Sequence, residues 1–438
     1  MKYNHFFAKV SMLLICAGLV FSACEKGPQL SVSSSEDIFF DESTVDTLTI
    51  HISSNINWTA TVDSTCTWLK VDPSYGRGNA TISLIAEEND DFVERVTFVV
   101  ISGDGVKTDT ITVVQASSVD VAEKIEDENF KRYCLYLFDA SQDGKISLKE
   151  ARSTENKIEV NDQTVYRYKM LPRGMEITTL AGIEYFTKIR ELNCDNNQLT
   201  NLDVSKNKEL RVLSCSYNQI TNIEVNELTR LTTLKVFNNK IKKIDVSKNE
   251  ALVELGINNN DISDINLVNN KELVYFQCSY NPLSKLDVSK NTKLKTLYCT
   301  KNMLSTLNVS TNTDLNNLFC ADNDLVELNL KNNIALQRLW CNQNKITELN
   351  LTNNPEVFEL RCVGNQLSAL DLTHNTKLED LTCSSNLLNG SLDINLNKKL
   401  KWIDLQNNPA LNIIYVWSGF DTYNQEYKKD AHANWIVK

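Results

Sequence analysis

Apolar and polar positions follow a fixed period of 21 residues from Ile189 to Asn408. Within each unit, a segment such as Leu213-Ser-Cys215 alternates apolar and polar residues, which predicts a short strand with one buried face. One unit cannot bury that face alone, so the period predicts a solenoid of stacked units. An Asn stands three positions after the second apolar residue in all eleven units: Asn197, Asn218, Asn239, Asn260, Asn281, Asn302, Asn323, Asn344, Asn365, Asn386 and, after a one-residue shift of register, Asn408.

The repeated motif, L-x-x-L-x-[C/L]-x-x-N-x-[L/I], resembles the leucine-rich repeat throughout this segment. The resemblance implies a solenoid over residues 177–412, with a parallel β-sheet on its concave face. The stretch from Ile177 to Phe186 departs from the repeat and is expected to cap the N-terminal end, and the aromatic segment 413–438 is expected to cap the C-terminal end. The Asn column is expected to pair with backbone groups of adjacent coils.

One inward-facing column of the repeat is rich in cysteine. Val236, Ile257 and Leu405 occupy the same position in other units, so a small buried hydrophobe is expected there rather than a metal ligand. No close C-x2-C pair of the kind that binds zinc occurs. We expect reduced thiols, with disulfide bonds between adjacent coils as the alternative. Eight of the twelve cysteines belong to this column: Cys194, Cys215, Cys278, Cys299, Cys320, Cys341, Cys362 and Cys383.

Between Gln29 and Ser117 the period of the pattern becomes two. Many short alternating segments separated by turns predict an all-β, immunoglobulin-like sandwich over residues 25–117. The clearest of these segments are 47–52, 58–62, 80–84 and 110–114.

Several residues of this segment resemble the BACON domain of Bacteroidetes proteins: Trp58, Trp68, Leu69, Pro73, Gly76, Gly78, Asn89, Arg95 and Gln115. That family was named for a proposed carbohydrate-binding role, and a spacer is the alternative. Trp58 and Trp68 are expected in the core of the sandwich rather than on its surface as sugar platforms.

A junction over residues 118–176 combines helical spacing with a calcium-loop motif. Twelve residues from Asp139 to Glu150 resemble an EF-hand-like loop, with Gly144 at the sharp turn. We expect one structural Ca²⁺ here, with an acidic helix cap as the alternative. The expected ligands are Asp139, Ser141, Asp143, the Lys145 carbonyl, Ser147 and Glu150.

Residues 1–24 have the pattern of an export signal. Lys2 and Lys9 precede an apolar run from Val10 to Phe21 that is too short to span a bilayer. Small residues before Cys24 resemble the bacterial lipoprotein signal, which implies acylation of Cys24 and a membrane anchor. The alternative is an ordinary secretory peptide. We therefore expect an exported protein of the cell envelope, lipid-anchored at the outer membrane or cell surface.

The net charge of the chain and the motifs in its sequence argue against some classes of function. The net charge of −11 argues against nucleic acid as a partner, because phosphate binding needs clustered basic residues. The four histidines lie in no catalytic arrangement, and no phosphate-binding loop or nucleophile elbow occurs. The sequence therefore predicts a binding protein rather than an enzyme, and it does not indicate an oligomeric state.

The outward-facing strand positions contain one concentrated group of aromatic and basic residues. Because the residue between the second Leu and the Cys column points away from the core, this group is expected to be exposed on the concave sheet. Its composition is typical of an interface hot spot. The alternative is that the rings only support the sheet through cross-strand contacts. The predicted ligand-binding residues are Tyr298, Phe319, Trp340, Arg338 and Arg361.

Taken together, the segments resemble leucine-rich-repeat lipoproteins of Bacteroidetes. The resemblance implies a cell-envelope protein that recognises a protein partner through the concave face. The alternative is a glycan-binding accessory lipoprotein.

Overall fold

The computed structural model describes residues 27–33, 38–40, 46–87, 89, 94–116, 119–154, 157–161 and 176–438. The chain forms two compact units, Met1–Ser118 and Val119–Lys438. The segment 1–24, with the predicted lipidation site Cys24, lies outside the described residues. No helix in the described ranges is both long and apolar enough to cross a bilayer.

The first unit consists of two β-sheets with a shared apolar core. The sheet orders are β1-β3-β7-β5 and β2-β9-β8-β4-β6, and all pairs are antiparallel except β2–β9. Alternate residues are buried in β4, β5, β7 and β8, as the two-residue period predicts. The strands are β1 Leu30–Val32, β2 Ile38–Phe40, β3 Asp46–Ser54, β4 Asn57–Val62, β5 Leu69–Asp72, β6 Tyr75–Arg77, β7 Ala80–Ala86, β8 Arg95–Gly103 and β9 Asp109–Gln115.

Both tryptophans of the first unit are buried in this core, which confirms the expectation from the sequence. The indole nitrogen of Trp58 donates a 2.9 Å hydrogen bond to the carbonyl oxygen of Gly78. The ring lies against Gly76, where an added Cβ would come within 2.4 Å of it. A glycine at position 76 is therefore required by the packing of Trp58.

Helices at the start of the second unit lead into the solenoid. They are α1 Val121–Lys124, α2 Glu128–Phe138 and α3 Leu148–Ser153, followed by β10 Lys157–Glu159. Asp127 caps α2, because its Oδ1 accepts from the amides of Asn129 and Phe130, and its Oδ2 accepts from the Thr178 amide at 2.9 Å. This carboxylate thus ties α2 to the beginning of the solenoid.

A 13-stranded sheet extends through the solenoid. Its order is β10 to β20, then β22 and β24, and all its pairs are parallel. After a 3-10 helix, Ile183–Tyr185, the strands are β11 Glu191–Asn193, β12 Val212–Ser214, β13 Thr233–Lys235, β14 Glu254–Gly256, β15 Tyr275–Gln277, β16 Thr296–Tyr298, β17 Asn317–Phe319, β18 Arg338–Trp340, β19 Glu359–Arg361, β20 Asp380–Thr382, β22 Trp402–Asp404 and β24 Tyr427–Lys428.

Regular pairing continues beyond the predicted solenoid at both ends. At the N-terminal end, β10 of the junction adds a strand to the sheet. At the C-terminal end a second parallel sheet forms in the order β21-β23-β25. Its strands are β21 Asn389–Asp393, β23 Ala410–Val416 and β25 Asn434–Val437.

The Asn column forms a hydrogen-bond ladder between coils. The Nδ2 atom of Asn218 donates to the carbonyl oxygens of Cys194, Cys215 and Ser216, and its Oδ1 accepts from the Leu199 amide, at 2.9–3.1 Å. The first member, Asn197, donates instead to Val160, so the ladder begins on the junction. The amides therefore satisfy backbone groups that the sheet does not pair.

A second column of buried asparagines was not predicted from the sequence. The Nδ2 atom of Asn249 donates to the carbonyl oxygens of Val225 and Leu228 at 2.9 and 2.8 Å. Leu228 itself fills this position in one coil. The Oδ1 atoms of this column accept no hydrogen bond within the described residues. The members are Asn207, Asn249, Asn270, Asn291, Asn312, Asn333, Asn354, Asn375 and Asn397.

The cysteine column lies in the core, as expected, and all eight residues are free thiols. Burial raises the pKa of several of these thiols, for example that of Cys341 to about 12. The eight thiols are shielded from solvent and form no disulfide bonds with one another. Apolar residues such as Val236 and Ile257 occupy the same column in other coils.

Candidate functional site

The exposed face of the long sheet is built from two columns of side chains. In each three-residue strand the central side chain is buried, whereas the first and third point away from the core. In β18, for example, Leu339 is buried, Arg338 is exposed and Trp340 is half-buried. Exact register between neighbouring strands places Tyr298, Phe319 and Trp340 side by side.

The aromatic residues on this face contact one another in a continuous row. The rings of Tyr298 and Phe319 are stacked, with centroids 4.3 Å apart and planes 16° apart. Phe319 and Trp340 meet edge to face at 4.8 Å, and Tyr275 extends the row from the other column, 5.7 Å from Tyr298. We call Tyr275, Tyr298, Phe319 and Trp340 the aromatic row.

The expectation that Phe319 is exposed was wrong, since only 6% of the residue is accessible to solvent. Its outward position is as predicted, but the ring lies between Tyr298 and Trp340, which cover it on both sides. The cross-strand packing considered as an alternative therefore exists. It leaves Tyr298 and Trp340 half-buried, with their remaining surface on the sheet face.

Beyond Trp340, charged residues continue the row around one carboxylate. Glu359 accepts a hydrogen bond from the Trp340 indole at 2.9 Å and pairs with Arg361 at 2.9 Å and with Arg338 at 3.2 Å. The Arg361 guanidinium lies 4.5 Å from the centre of the Trp340 ring and also bonds Asp380 at 2.9 Å. The structure therefore brings all five predicted ligand-binding residues into one contiguous cluster.

Burial and the charge of Arg361 shift the pKa of Asp380 in opposite directions. Burial raises the pKa of this carboxyl above its usual value, although the Arg361 guanidinium partly offsets the effect. Glu359, the neighbouring acid, contributes to the increase. Asp380 is thus held close to Arg361 in a partly desolvated position.

Sequence reasoning missed Glu359 and Asp380 and gave Tyr275 no primary role. All three occupy the first position of their strands, whereas the prediction was drawn from the third position except for Arg338. Reading both outward columns together would have placed an acid next to each of the two predicted arginines. The signal was therefore present in the sequence.

The predicted calcium loop is closed by its own hydrogen bonds. Asp139 accepts from the amides of Asp143 and Gly144, and Gly144 has the positive φ of +82° that the turn requires. Glu150 accepts from the amides of Ala140, Ser141 and Ser147. Burial raises the pKa of Glu150, but these hydrogen bonds outweigh it and leave that pKa below its usual value.

The same loop also provides the helix cap considered as the alternative. Ser147 and Glu150 form a capping box at the start of α3. No group of three or more acidic, histidine or cysteine side chains in the described ranges is placed to hold a metal ion. The arrangement therefore shows a helix cap, and calcium binding stays a prediction.

Two parts of the chain match protein-family models. Residues 29–118 match the model described as Viral BACON domain, and residues 208–249 match the model described as Leucine Rich repeats (2 copies). No curated protein matches the chain. Both family resemblances inferred from the sequence are thus supported for these segments.

Two solved structures from Listeria monocytogenes are similar to this chain. The functional domain of InlJ, which includes a cysteine ladder, is 27% identical, with 73% of this chain and 70% of that chain covered and a TM-score of 0.56. The internalin inlF of strain 4b F2365 is 23% identical, with 72% and 98% covered and a TM-score of 0.58, and shows the fold alone. The chain therefore combines a BACON-like all-β domain with a leucine-rich-repeat solenoid, a fold typical of protein–protein interaction domains.

Proposed function

We propose that this chain is a cell-envelope protein that binds a protein partner through the concave face of its solenoid. The aromatic row and the adjacent arginines form the centre of the contact. Trp, Tyr and Arg in partly desolvated positions are the residues that dominate binding energy at protein interfaces. The parallel sheet fixes the backbone of these residues, which reduces the ordering cost on binding.

The packing of the rings is the observation that favours a protein over a glycan. A sugar ring stacks on an open aromatic face, but the facing surfaces of Tyr298 and Phe319 cover each other at 4.3 Å. The Arg361 guanidinium lies against the ring of Trp340 at 4.5 Å. The row therefore offers mainly ring edges and half-buried surface, which suit apolar side chains of a protein.

The partner can be sought with the full exported chain as bait against envelope and host proteins, with a glycan array run beside it. The captured protein is then titrated against wild type and Trp340→Ala, and we expect the variant to bind more weakly by about 2 kcal/mol or more. Trp402→Ala is the matched control, because Trp402 lies on the same sheet and is also covered by a cation, Lys428 at 5.0 Å. Equal affinity for wild type and Trp340→Ala would remove the aromatic row from the site.

The proposed location depends on the sequence around Cys24. Acylation there would anchor the chain durably, since several acyl chains on one residue hold a protein at a membrane. Labelled fatty acid supplied to cells is expected to enter the wild-type protein but not Cys24→Ala, which should leave the membrane fraction. Unlabelled, membrane-free wild type would contradict the lipid anchor without affecting the binding face.

A further inference from the structure

Arg338 differs from the other arginine of the cluster in what its guanidinium contacts. Its Nε atom pairs with Glu359 at 3.2 Å, and its guanidinium carbon lies 4.8 Å from the centre of the Phe358 ring. The terminal nitrogen Nη2 of Arg361, by contrast, already contacts both Glu359 and Asp380 at 2.9 Å. Arg361 therefore contacts two carboxylates of the cluster through a terminal nitrogen, whereas Arg338 contacts one carboxylate through Nε.

The two terminal nitrogens of the Arg338 guanidinium are available to a partner. Its side chain is 45% exposed, and apart from the contact of Nε with Glu359 it makes no hydrogen bond or ion pair with a residue in the described ranges. Because Nε contacts Glu359 and one planar face lies near Phe358, the orientation of the two terminal nitrogens is restricted before a partner binds. Such a pair of parallel N–H groups matches the two oxygens of a carboxylate.

The distribution of charge on the sheet decides the side from which a ligand can approach. Glu359 and Asp380 lie on β19 and β20, beyond Arg338 in one direction. In the other direction, the outward positions of three successive strands, β15 to β17, contain no charged residue: Tyr275, Gln277, Thr296, Tyr298, Asn317 and Phe319. An anionic group seated over the aromatic row would therefore meet Arg338 with no acid on those strands to repel it.

We infer that Arg338 binds the side-chain carboxylate of an Asp or Glu in the protein partner, beside an apolar side chain that packs on the edges of Tyr298 and Trp340. Strands are about 4.8 Å apart, so the two partner groups lie within about 10 Å of each other. A side chain fits better than a chain end, because the sheet continues on both sides of β18. This inference rests on the proposed function and specifies the chemistry of the partner.

A random peptide library displayed on phage provides the probe. It is selected on immobilised full-length wild type, Trp340→Ala and Arg338→Gln. We expect wild type to enrich peptides with an acidic residue close to an aromatic or aliphatic one, Arg338→Gln to lose the acidic preference alone, and Trp340→Ala to lose the peptides altogether. Arg230→Gln is the matched control, because Arg230 is an exposed arginine of the solenoid that pairs with Glu209 outside the cluster.

Titration of one selected peptide completes the test. Replacement of its acidic residue by the amide is expected to weaken binding to wild type about tenfold and to have almost no effect on Arg338→Gln, because both changes remove the same charge-assisted contact. Arg338→Lys keeps the charge without the paired donors and should recover only part of the affinity. An amidated C-terminus should change nothing.

The outcomes separate this inference from the proposed function. Peptides that require Trp340 but show no acidic preference, or additive effects in the titration, would overturn the role of Arg338 and leave the binding face in place. Dependence on a free C-terminus would also overturn it. Glycans that bind in a Trp340-dependent manner, with no peptide selected, would contradict both.

Discussion

The indole nitrogen of Trp340 donates a 2.9 Å hydrogen bond to Glu359 on the neighbouring strand. Only 13% of the Glu359 side chain is exposed, and it also pairs with two arginines. Trp340 is therefore part of the binding face and also a donor to a carboxylate that is largely withdrawn from water. A change at position 340 affects the stability of the solenoid as well as its surface.

This hydrogen bond can be measured separately from the packing of the ring. Trp340→Phe keeps an aromatic ring but removes the donor, and we expect a loss of about 1 kcal/mol in the free energy of unfolding. In a double-mutant cycle with Glu359→Ala, which removes the acceptor, the two effects should be non-additive by a similar amount, about 1 kcal/mol. Additive effects in urea denaturation would show that the bond contributes nothing to stability.

The period of the sequence was sufficient to predict the strands and buried columns, because every coil repeats the same environment for Leu339 or Asn344. The burial of Phe319 could not be predicted in this way. A column fixes the face on which a side chain lies, whereas burial here depends on how the neighbouring rings rotate about their own side-chain bonds. The pairing of β10 lay beyond the period altogether, since Lys157–Glu159 precedes the first repeat.

The second column of buried asparagines, which includes Asn249, shows a different limit of prediction from the sequence. Its repetition is as visible in the sequence as that of Asn218, so its burial could have been predicted from the period. The donor pattern could not, because the direction in which an amide points depends on which carbonyl groups the adjacent coil presents. The structure supplies those groups at Val225 and Leu228.

Removal of a ladder asparagine should be costly. Asn218→Ala leaves buried carbonyl groups and the Leu199 amide without a partner, and we expect the free energy of unfolding to fall by roughly 1–3 kcal/mol. Asn222→Ala is the control, since Asn222 is exposed on the same coil. Because repeat arrays can lose two-state behaviour, the denaturation midpoints are compared as well. Equal midpoints for the two variants would contradict a stabilising role of the ladder.

The cysteine column should tolerate a change to valine. Cys299→Val is expected to alter the melting temperature very little, because Val236 occupies the same position in another coil. Burial raises the pKa of Cys299 and of Cys341 well above that of a free cysteine. The buried thiols of the column should therefore react slowly with alkylating reagents in native protein at pH 8 and quickly after unfolding. Mass spectrometry of unreduced protein checks their state, and disulfides between adjacent coils would refute the prediction.

Calcium should bind weakly at the loop from Asp139 to Glu150, with a dissociation constant of about 10⁻⁴ to 10⁻³ M. Weak binding is expected because the ion must compete with backbone amides that already donate hydrogen bonds to the carboxylates of Asp139 and Glu150. Metal that binds only the folded chain raises stability by mass action, so millimolar calcium should raise the melting temperature relative to EDTA. Asp139→Asn reduces the charge of the loop but leaves the Glu150 capping box in place, and it should abolish the shift. If calcium has no effect on wild type, the loop acts only as the helix cap that Ser147 and Glu150 form.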